Sequence, residues 1–209
     1  MKITAEDYDI IVFLTRLVYY DLEYPECFNC THSLSLRSGL KLNKFDMGDY
    51  DLIVICGTNS FRDWVTNLKV ALRLIPIQYK QACNFVNEIE KDGTKPMVIV
   101  GHSLGGGIAE YIASSLSVYF DVTGITFNGC GCKHLINPSL RDYTNTYNII
   151  TSRDILNGIT RHIPFAKNYL QHTGSTYMVK DEGLFPLSVK SHCNFSAFTK
   201  VNIDIFIDK

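Results

Sequence analysis

The stretch MVIVGHSLGGGIAEYIASSL, residues 97–116, decides the fold of this chain. Its first four residues form an apolar run typical of a strand buried on both faces, and a helical pattern follows the serine. The intervening GHSLG, residues 101–105, matches G-x-S-x-G, which forms a sharp turn from a strand into a helix. We expect glycine to be required at 101 and 105, because a side chain there would collide with the neighbouring backbone. The pattern therefore predicts Ser103 at the carboxyl edge of a sheet, beside a helix N-terminus.

Strand and helix patterns alternate around this stretch. DLIVIC (51–56) is a second buried strand, and a helical pattern over 77–91 lies between the two strands. The other predicted elements are a helix over 5–20, a half-buried strand over 34–42, and strands over 125–127, 147–151, 177–179 and 201–207. Alternation of strands and helices is typical of a parallel sheet. We therefore predict a single α/β domain over residues 1–209.

Composition excludes several classes of protein. A chain of 209 residues with 46% apolar residues can bury about 70% of its unfolded surface without metal or disulfide support. A net charge of -1 without a basic run argues against a nucleic-acid partner. No secretory apolar region and no run of about 18 apolar residues occurs, so we expect no signal peptide and no transmembrane segment. Seven cysteines, an odd number, indicate reduced thiols and intracellular or cytoplasmic folding, with later release left open.

Two segments carry a family resemblance. ICGTNSFRDWVTNL (55–68) followed by VGHSLGGGIA (100–109) resembles the class 3 lipase family of α/β-hydrolases. The resemblance covers roughly residues 50–200. It implies a mostly parallel central sheet flanked by helices, hydrolysis of lipid esters, and catalytic residues in the order Ser, Asp, His. Cys56 departs from the family, which usually has Arg at this position.

The resemblance implies how an ester would be attacked. Ser103 is the nucleophile, and the backbone amides of Thr58 and Leu104 form the oxyanion hole that binds the oxygen as it becomes negative. Each donor of this kind contributes about 3 kcal/mol to the rate. The structural alternatives are a helix cap for Ser103 and an ordinary Gly-Thr turn for Thr58.

A serine hydroxyl also needs an imidazole to remove its proton and a carboxylate to orient that imidazole. Asp154 follows the predicted strand over 147–151 by three residues, at the edge where a parallel sheet collects its functional groups. It also resembles the family's N-x-x-D-x-V segment. Asp121 and Asp142 are less well placed. We therefore predict Asp154 as the acid.

Three histidines follow Asp154 in the chain, His162, His172 and His192. His192 lies where the family has its base. His172 resembles the His-x-Gly segment that opens a late strand in the family, and it stays open as the alternative. His102, inside the G-x-S-x-G turn, is interpreted as structural.

Other chemistries have weaker signals. CFNCTH (27–32) and CGCKH (130–134) have spacings that a zinc site can use, but no known module joins the two. We expect buried or loop thiols there, with no metal and no cofactor. A nucleophilic Cys56 or Cys193 would lack the strand-to-helix turn.

The segment LKVALRLIPI (68–77) carries two interpretations. Lys69 and Arg73 lie on one face of a short amphipathic helix, which suits peripheral contact with a membrane; alternatively the segment packs onto the sheet as core.

We expect the substrate of this chain to be a lipid or a small ester. Two classes of function therefore remain. The first is a serine esterase or lipase, and the second is an α/β-hydrolase-like lipid-binding module whose triad is misaligned.

Overall fold

A computed structural model describes residues 3–56, 77–91, 93–143, 145–156, 171–181 and 192–201. Its strands are β1 (Asn29–Ser35), β2 (Lys41–Asp46), β3 (Asp51–Cys56), β4 (Met97–His102), β5 (Val122–Phe127), β6 (Thr146–Thr151) and β7 (Ser175–Val179). Its helices are α1 (Ala5–Tyr19), α2 (77–89), α3 (Leu104–Leu116) and the short α4 (Phe195–Phe198), with 3₁₀ turns at Lys133–Leu135 and Pro138–Tyr143.

The seven strands form one sheet in which the spatial order is the chain order, β1 to β7. β1, β2 and β3 pair antiparallel, and β3 to β7 pair parallel. The strands predicted at 51–56, 97–100, 125–127, 147–151 and 177–179 are confirmed, and so are the helices at 5–20 and 77–91. The strand predicted over 201–207 lies outside the described residues, apart from Val201. A single domain over the whole chain stays a prediction.

The single strand predicted over 34–42 is wrong, because these residues form the hairpin between β1 and β2. The turn is closed by the Leu36 N–H donating to the Leu40 carbonyl at 2.9 Å, and Gly39 has φ 83°. Leu34 pairs with Leu42 across the two strands. The apolar alternation therefore belongs to two strands in register, and its period of two continues through the turn.

Both faces of the four strands β3 to β6 are covered, which explains their unbroken apolar runs. All six residues of β3 are buried. Leu52 and Val54 pack in the cluster that includes α1, whereas Ile53 and Ile55 pack in the cluster that includes α2 and α3. Alternate side chains of one strand thus enter two different cores.

Helix α1 also anchors the C-terminal segment. The Asp7 N–H donates to Thr4 Oγ1 at 3.1 Å and the Thr4 N–H donates to Asp7 Oδ2 at 2.9 Å, which is a capping box. One turn further on, the buried Tyr8 hydroxyl donates to the main-chain carbonyl of Phe198 at 2.9 Å. The segment 192–201 is therefore hydrogen-bonded to α1.

A buried ion cluster lies at the opposite end of β3 from its carboxyl edge. Lys44 Nζ is 3.0 Å from Asp51 Oδ2 and 2.5 Å from Glu90 Oε1. None of the three residues is more than 7% exposed. Burial lowers the pKa of Lys44, but the hydrogen bonds that its ammonium donates to Glu90 and Asp51 raise this pKa by more, so the net shift is upward. The ammonium is thus held in its charged form between two carboxylates.

Replacing Lys44 by Met should lower the free energy of unfolding by about 3–5 kcal/mol, because Asp51 and Glu90 would stay buried without a cation. Lys95→Met is the matched control. Lys95 is 2.7 Å from Asp46, but these side chains are 40% and 37% exposed, so its loss should lower the free energy of unfolding much less than the loss of Lys44. Urea unfolding at pH 7 measures both variants. Equal losses would contradict a buried role for Lys44.

Candidate active site

Ser103 occupies the turn between β4 and α3 with φ 58° and ψ -124°, a backbone conformation that residues other than glycine rarely adopt. The residue is buried. Its N–H donates to the Phe127 carbonyl at 3.1 Å, and its own carbonyl accepts from the Cys130 N–H at 3.0 Å. The strand-to-helix turn predicted from the sequence is confirmed. The turn is held in place by two hydrogen bonds, one to the end of β5 and one to the segment that follows β5.

Glycines allow this turn to lie close to its neighbours. A Cβ on Gly101 would collide with the main chain of Gly105, so the expected requirement at 101 is confirmed. A Cβ on Gly106 would lie 2.8 Å from the Cα of Gly129. A Cβ on Gly107 would collide with a main-chain carbonyl of the segment after β5. The run of glycines therefore lets α3 begin directly against the ends of β4 and β5.

Asp154 and His192 form a hydrogen-bonded pair at this carboxyl edge. Asp154 lies in the loop after β6, where its N–H donates to the Thr151 carbonyl at 3.1 Å. His192 Nδ1 lies 2.5 Å from Asp154 Oδ2, and both side chains are fully buried. A carboxylate can only accept, so the Nδ1–H of His192 donates and the basic lone pair of the neutral imidazole is on Nε2.

Asp154 also acts on the segment that holds the serine turn. Burial, and then the charge of Asp154, raise the pKa of the Cys130 thiol to about 12. Cys130 is the residue whose N–H binds the Ser103 carbonyl. The carboxylate of Asp154 and the turn at Ser103 therefore share one water-poor environment, in which charge interactions are strong.

His102 connects the serine turn to His192. The two imidazole rings lie 4.7 Å apart between centroids, and His102 Nε2–H donates to the main-chain carbonyl of His192 at 2.6 Å. Burial lowers the pKa of His102 well below its ordinary range, and the nearby His192 lowers this pKa further. His102, the residue before Ser103, is therefore a neutral hydrogen-bond donor to His192. This is in keeping with the structural role predicted for it.

The C-terminus of α1 covers this pair of histidines. The Tyr19 ring lies 4.5 Å from that of His102, and its hydroxyl lies 3.7 Å from Cys193 Sγ. Cys56, at the position where the related lipases usually have Arg, donates its thiol to the Tyr19 carbonyl at 3.8 Å. Burial raises the pKa of Cys56 to about 12 and also raises that of Cys193. Both sulfurs are therefore protonated and weakly nucleophilic.

His172 has a carboxylate of its own, separate from Asp154. His172 Nδ1 lies 2.8 Å from Glu110 Oε2, and the Thr173 hydroxyl donates to Glu110 Oε1 at 2.9 Å. Glu110 is on α3 and is fully buried. No sequence motif singles out Glu110, although one carboxylate within the apolar helix pattern GGGIAEYIASS indicates a buried partner. The described contacts thus pair His192, and not His172, with Asp154.

Two predicted features lie outside the described residues. These are Thr58, the first oxyanion-hole residue, and the segment 68–77 apart from Ile77. Leu104, the second residue predicted for the oxyanion hole, is buried and is the first residue of α3. In the part of the chain that the structure describes, no group of three or more His, Cys, Asp or Glu side chains is arranged to hold a metal ion. None of the helices described is both long enough and apolar enough to cross a membrane.

A mostly parallel sheet with a serine at a strand-to-helix turn, and a buried His–Asp pair at the same edge, is the arrangement of the α/β-hydrolase fold. The fold is similar to that of lipase II from Rhizopus niveus, with a TM-score of 0.62 and 17% identity over 89% of this chain and 86% of that one. Mono- and diacylglycerol lipase from Aspergillus oryzae gives a TM-score of 0.54 and 16% identity over 90% and 84% of the two chains. The expected fold is confirmed.

Residues 36–148 match the Tle-like phospholipase domain, and this chain belongs to that phospholipase-like family. It is also 29% identical over 127 residues to the extracellular phospholipase A1 of Serratia liquefaciens. That match covers 55% of this chain and 40% of the relative, so the chain aligns with less than half of the relative's length. The resemblance to class 3 lipases is confirmed.

The backbone strain at Ser103 can be measured. Ser103→Gly should be more stable than Ser103→Ala by about 1 kcal/mol, because glycine adopts φ 58° without steric cost and alanine does not. Ser117 is the matched control, since it ends the same helix with φ -59°. There the order should reverse, with Ala above Gly. Urea unfolding of the four variants tests this, and the same order at both positions would contradict strain at Ser103.

The buried His102 should make stability depend on pH. Its pKa is lowered in the folded protein, so below about pH 6.5 the unfolded chain binds a proton that the folded chain does not, and stability falls as the pH falls. His102→Gln keeps a donor near Nε2 and should show a shallower loss of stability between pH 7.5 and 5. His32→Gln, which replaces an exposed histidine on β1, is the control for the loss of an imidazole. Urea midpoints across this range measure the slopes, and equal slopes for all three proteins would contradict the buried-histidine account.

Proposed function

We propose that this chain is a serine hydrolase that cleaves carboxylic esters of lipids through a triad of Ser103, His192 and Asp154. The observation that carries the proposal is the buried 2.5 Å hydrogen bond between His192 and Asp154, beside a serine on a strained strand-to-helix turn. This bond fixes the imidazole tautomer that has its lone pair on Nε2. A serine hydroxyl beside such a base can be deprotonated as it attacks.

The reaction takes two steps of acyl transfer. Ser103 Oγ attacks the ester carbonyl while His192 Nε2 takes its proton, and Asp154 stabilises the imidazolium that forms. The tetrahedral oxyanion is held by the Leu104 amide, at the N-terminus of α3, and by the Thr58 amide that the family resemblance assigns. His192 then gives the proton to the departing alcohol, which leaves an acyl-serine. Water attacks this ester as His192 takes its proton, the bond between Ser103 Oγ and the acyl carbon breaks, His192 returns the proton to Ser103 Oγ, and the fatty acid departs.

The proposed substrate is a lipid ester, which includes phospholipids. Membership of the Tle-like phospholipase domain family supports this, and so does the similarity to a Serratia phospholipase A1.

Peripheral membrane contact through residues 68–77 is part of the proposal, and Ile77, which is 50% exposed, is the residue of this segment that the structure describes. All seven cysteines are free thiols, which supports folding in a reducing, intracellular compartment.

Labelling with a fluorophosphonate tests the nucleophile directly. The wild type should be labelled and Ser103→Ala should not, with turnover of a soluble ester falling by several orders of magnitude. Asp154→Asn and His192→Gln should each lower kcat by about 10⁴-fold, and adding either to Ser103→Ala should change little because a triad acts as a unit. The same proteins are then assayed on phospholipid vesicles, where fatty acid and lysophospholipid are the expected products.

His172→Gln is the matched control for the base. It removes an imidazole that contacts Glu110 and leaves the Asp154–His192 pair intact, so its kcat should stay within a few-fold of the wild type. A large loss in His172→Gln with activity kept in His192→Gln would move the base to His172. An unlabelled wild type that still binds vesicles would instead support the second class of function, a lipid-binding module.

A further inference from the structure

We propose that Asn128 is a positioning residue that fixes the geometry between Asp154 and His192; this inference rests on the proposed function. Asn128 is fully buried and directly follows β5, between the strands that lead to Ser103 and to Asp154. No motif in the sequence singles it out. Its side chain contacts the chain segments that carry both members of the pair.

The carboxamide oxygen of Asn128 holds the end of β6. Asn128 Oδ1 accepts the Thr151 N–H at 2.8 Å, and Thr151 Oγ1 lies 3.1 Å from Asn128 Nδ2. The Thr151 carbonyl in turn accepts the Asp154 N–H at 3.1 Å. Asn128 therefore fixes the main chain from which the loop with Asp154 starts.

The carboxamide nitrogen of Asn128 holds the residue that carries the base. Asn128 Nδ2 donates to the main-chain carbonyl of His192 at 2.9 Å. The same carbonyl accepts His102 Nε2–H at 2.6 Å, so two buried donors converge on it. Because the peptide group of His192 is fixed from two sides, its ring can stay in place without relying on Asp154 alone.

The backbone conformation of Asn128 indicates that its side chain has a role beyond forming the turn. Asn128 has φ 46°, in the left-handed region where glycine has no steric cost. Asn tolerates this region better than most residues, but glycine would suit a mere turn at least as well. The carboxamide is what glycine lacks. This rigid, planar group supplies an acceptor to the segment that carries Asp154 and a donor to the segment that carries His192.

Asn128→Gly tests the inference because it keeps the turn and removes only the carboxamide. The matched control is Asn145→Gly, which removes the 3.0 Å hydrogen bond from Asn145 Nδ2 to Thr123 Oγ1 between β5 and the start of β6, at the opposite edge of the sheet. We expect Asn128→Gly to lower kcat on a soluble short-chain ester about 100-fold with KM within about twofold, since small misplacement of a catalytic group has an effect of this size. Asn145→Gly should change neither constant.

A spectroscopic measurement separates positioning from general loss of stability. The short hydrogen bond of His192 Nδ1–H to Asp154 should give a far-downfield proton resonance in the wild type and in Asn145→Gly, whereas in Asn128→Gly this resonance should move upfield or broaden beyond detection. It reports on the pair even without substrate. An unchanged resonance with wild-type kcat in Asn128→Gly would overturn the inference and leave the proposed function standing.

A second variant covers the case in which Asn128→Gly does not fold. Asn128→Asp has the same shape and keeps the acceptor for Thr151, but it removes the donor to the His192 carbonyl, so the same loss of kcat is expected. If neither variant folds, or if kcat falls only in proportion to the folded fraction, Asn128 is structural and the inference is wrong. If the wild type is not labelled at Ser103, the proposed function fails, and the resonance alone decides whether Asn128 positions the pair.

Discussion

The main chain of Ser103 is bound on both sides, through its N–H to Phe127 and through its carbonyl to Cys130. These two bonds hold a positive-φ residue between β4 and α3, and they require α3 to lie against the end of β5 more closely than any side chain at Gly106 or Gly107 would permit. The steric freedom of the glycine run therefore places the serine. The His–Asp pair is arranged around a turn that glycine makes possible.

Around that turn, the site is assembled from distant parts of the chain by buried polar contacts. His102 and Asn128 both donate to the carbonyl of His192, and the ring of Tyr19 lies against His102. The hydroxyl of another α1 tyrosine holds α4, which follows the base directly. In a water-poor interior each such contact is strong and each missing partner is costly. His192, the proposed base, is thus positioned by α1 and by the end of β5.

The sequence predicted the parts of the site that local pattern encodes, and missed those that depend on long-range pairing. Apolar runs and the residues at their ends can be identified in a window of about 20 residues. They were enough to predict the buried strands, the turn at Ser103 and the position of Asp154. The hairpin over 34–42 was hidden because Leu34 and Leu42 keep one alternation across the turn. Glu110 and Asn128 are single polar residues whose partners are 23 to 64 positions away, and no local period marks them.

The order of the strands across the sheet, which is also their order along the chain, has a consequence for how the protein is made. Each new strand can add to the edge left by the one before, so the sheet can grow as the ribosome delivers it. Ser103 and Asp154 are therefore in place before His192 leaves the ribosome. A nascent chain therefore has the proposed nucleophile long before it has the proposed base.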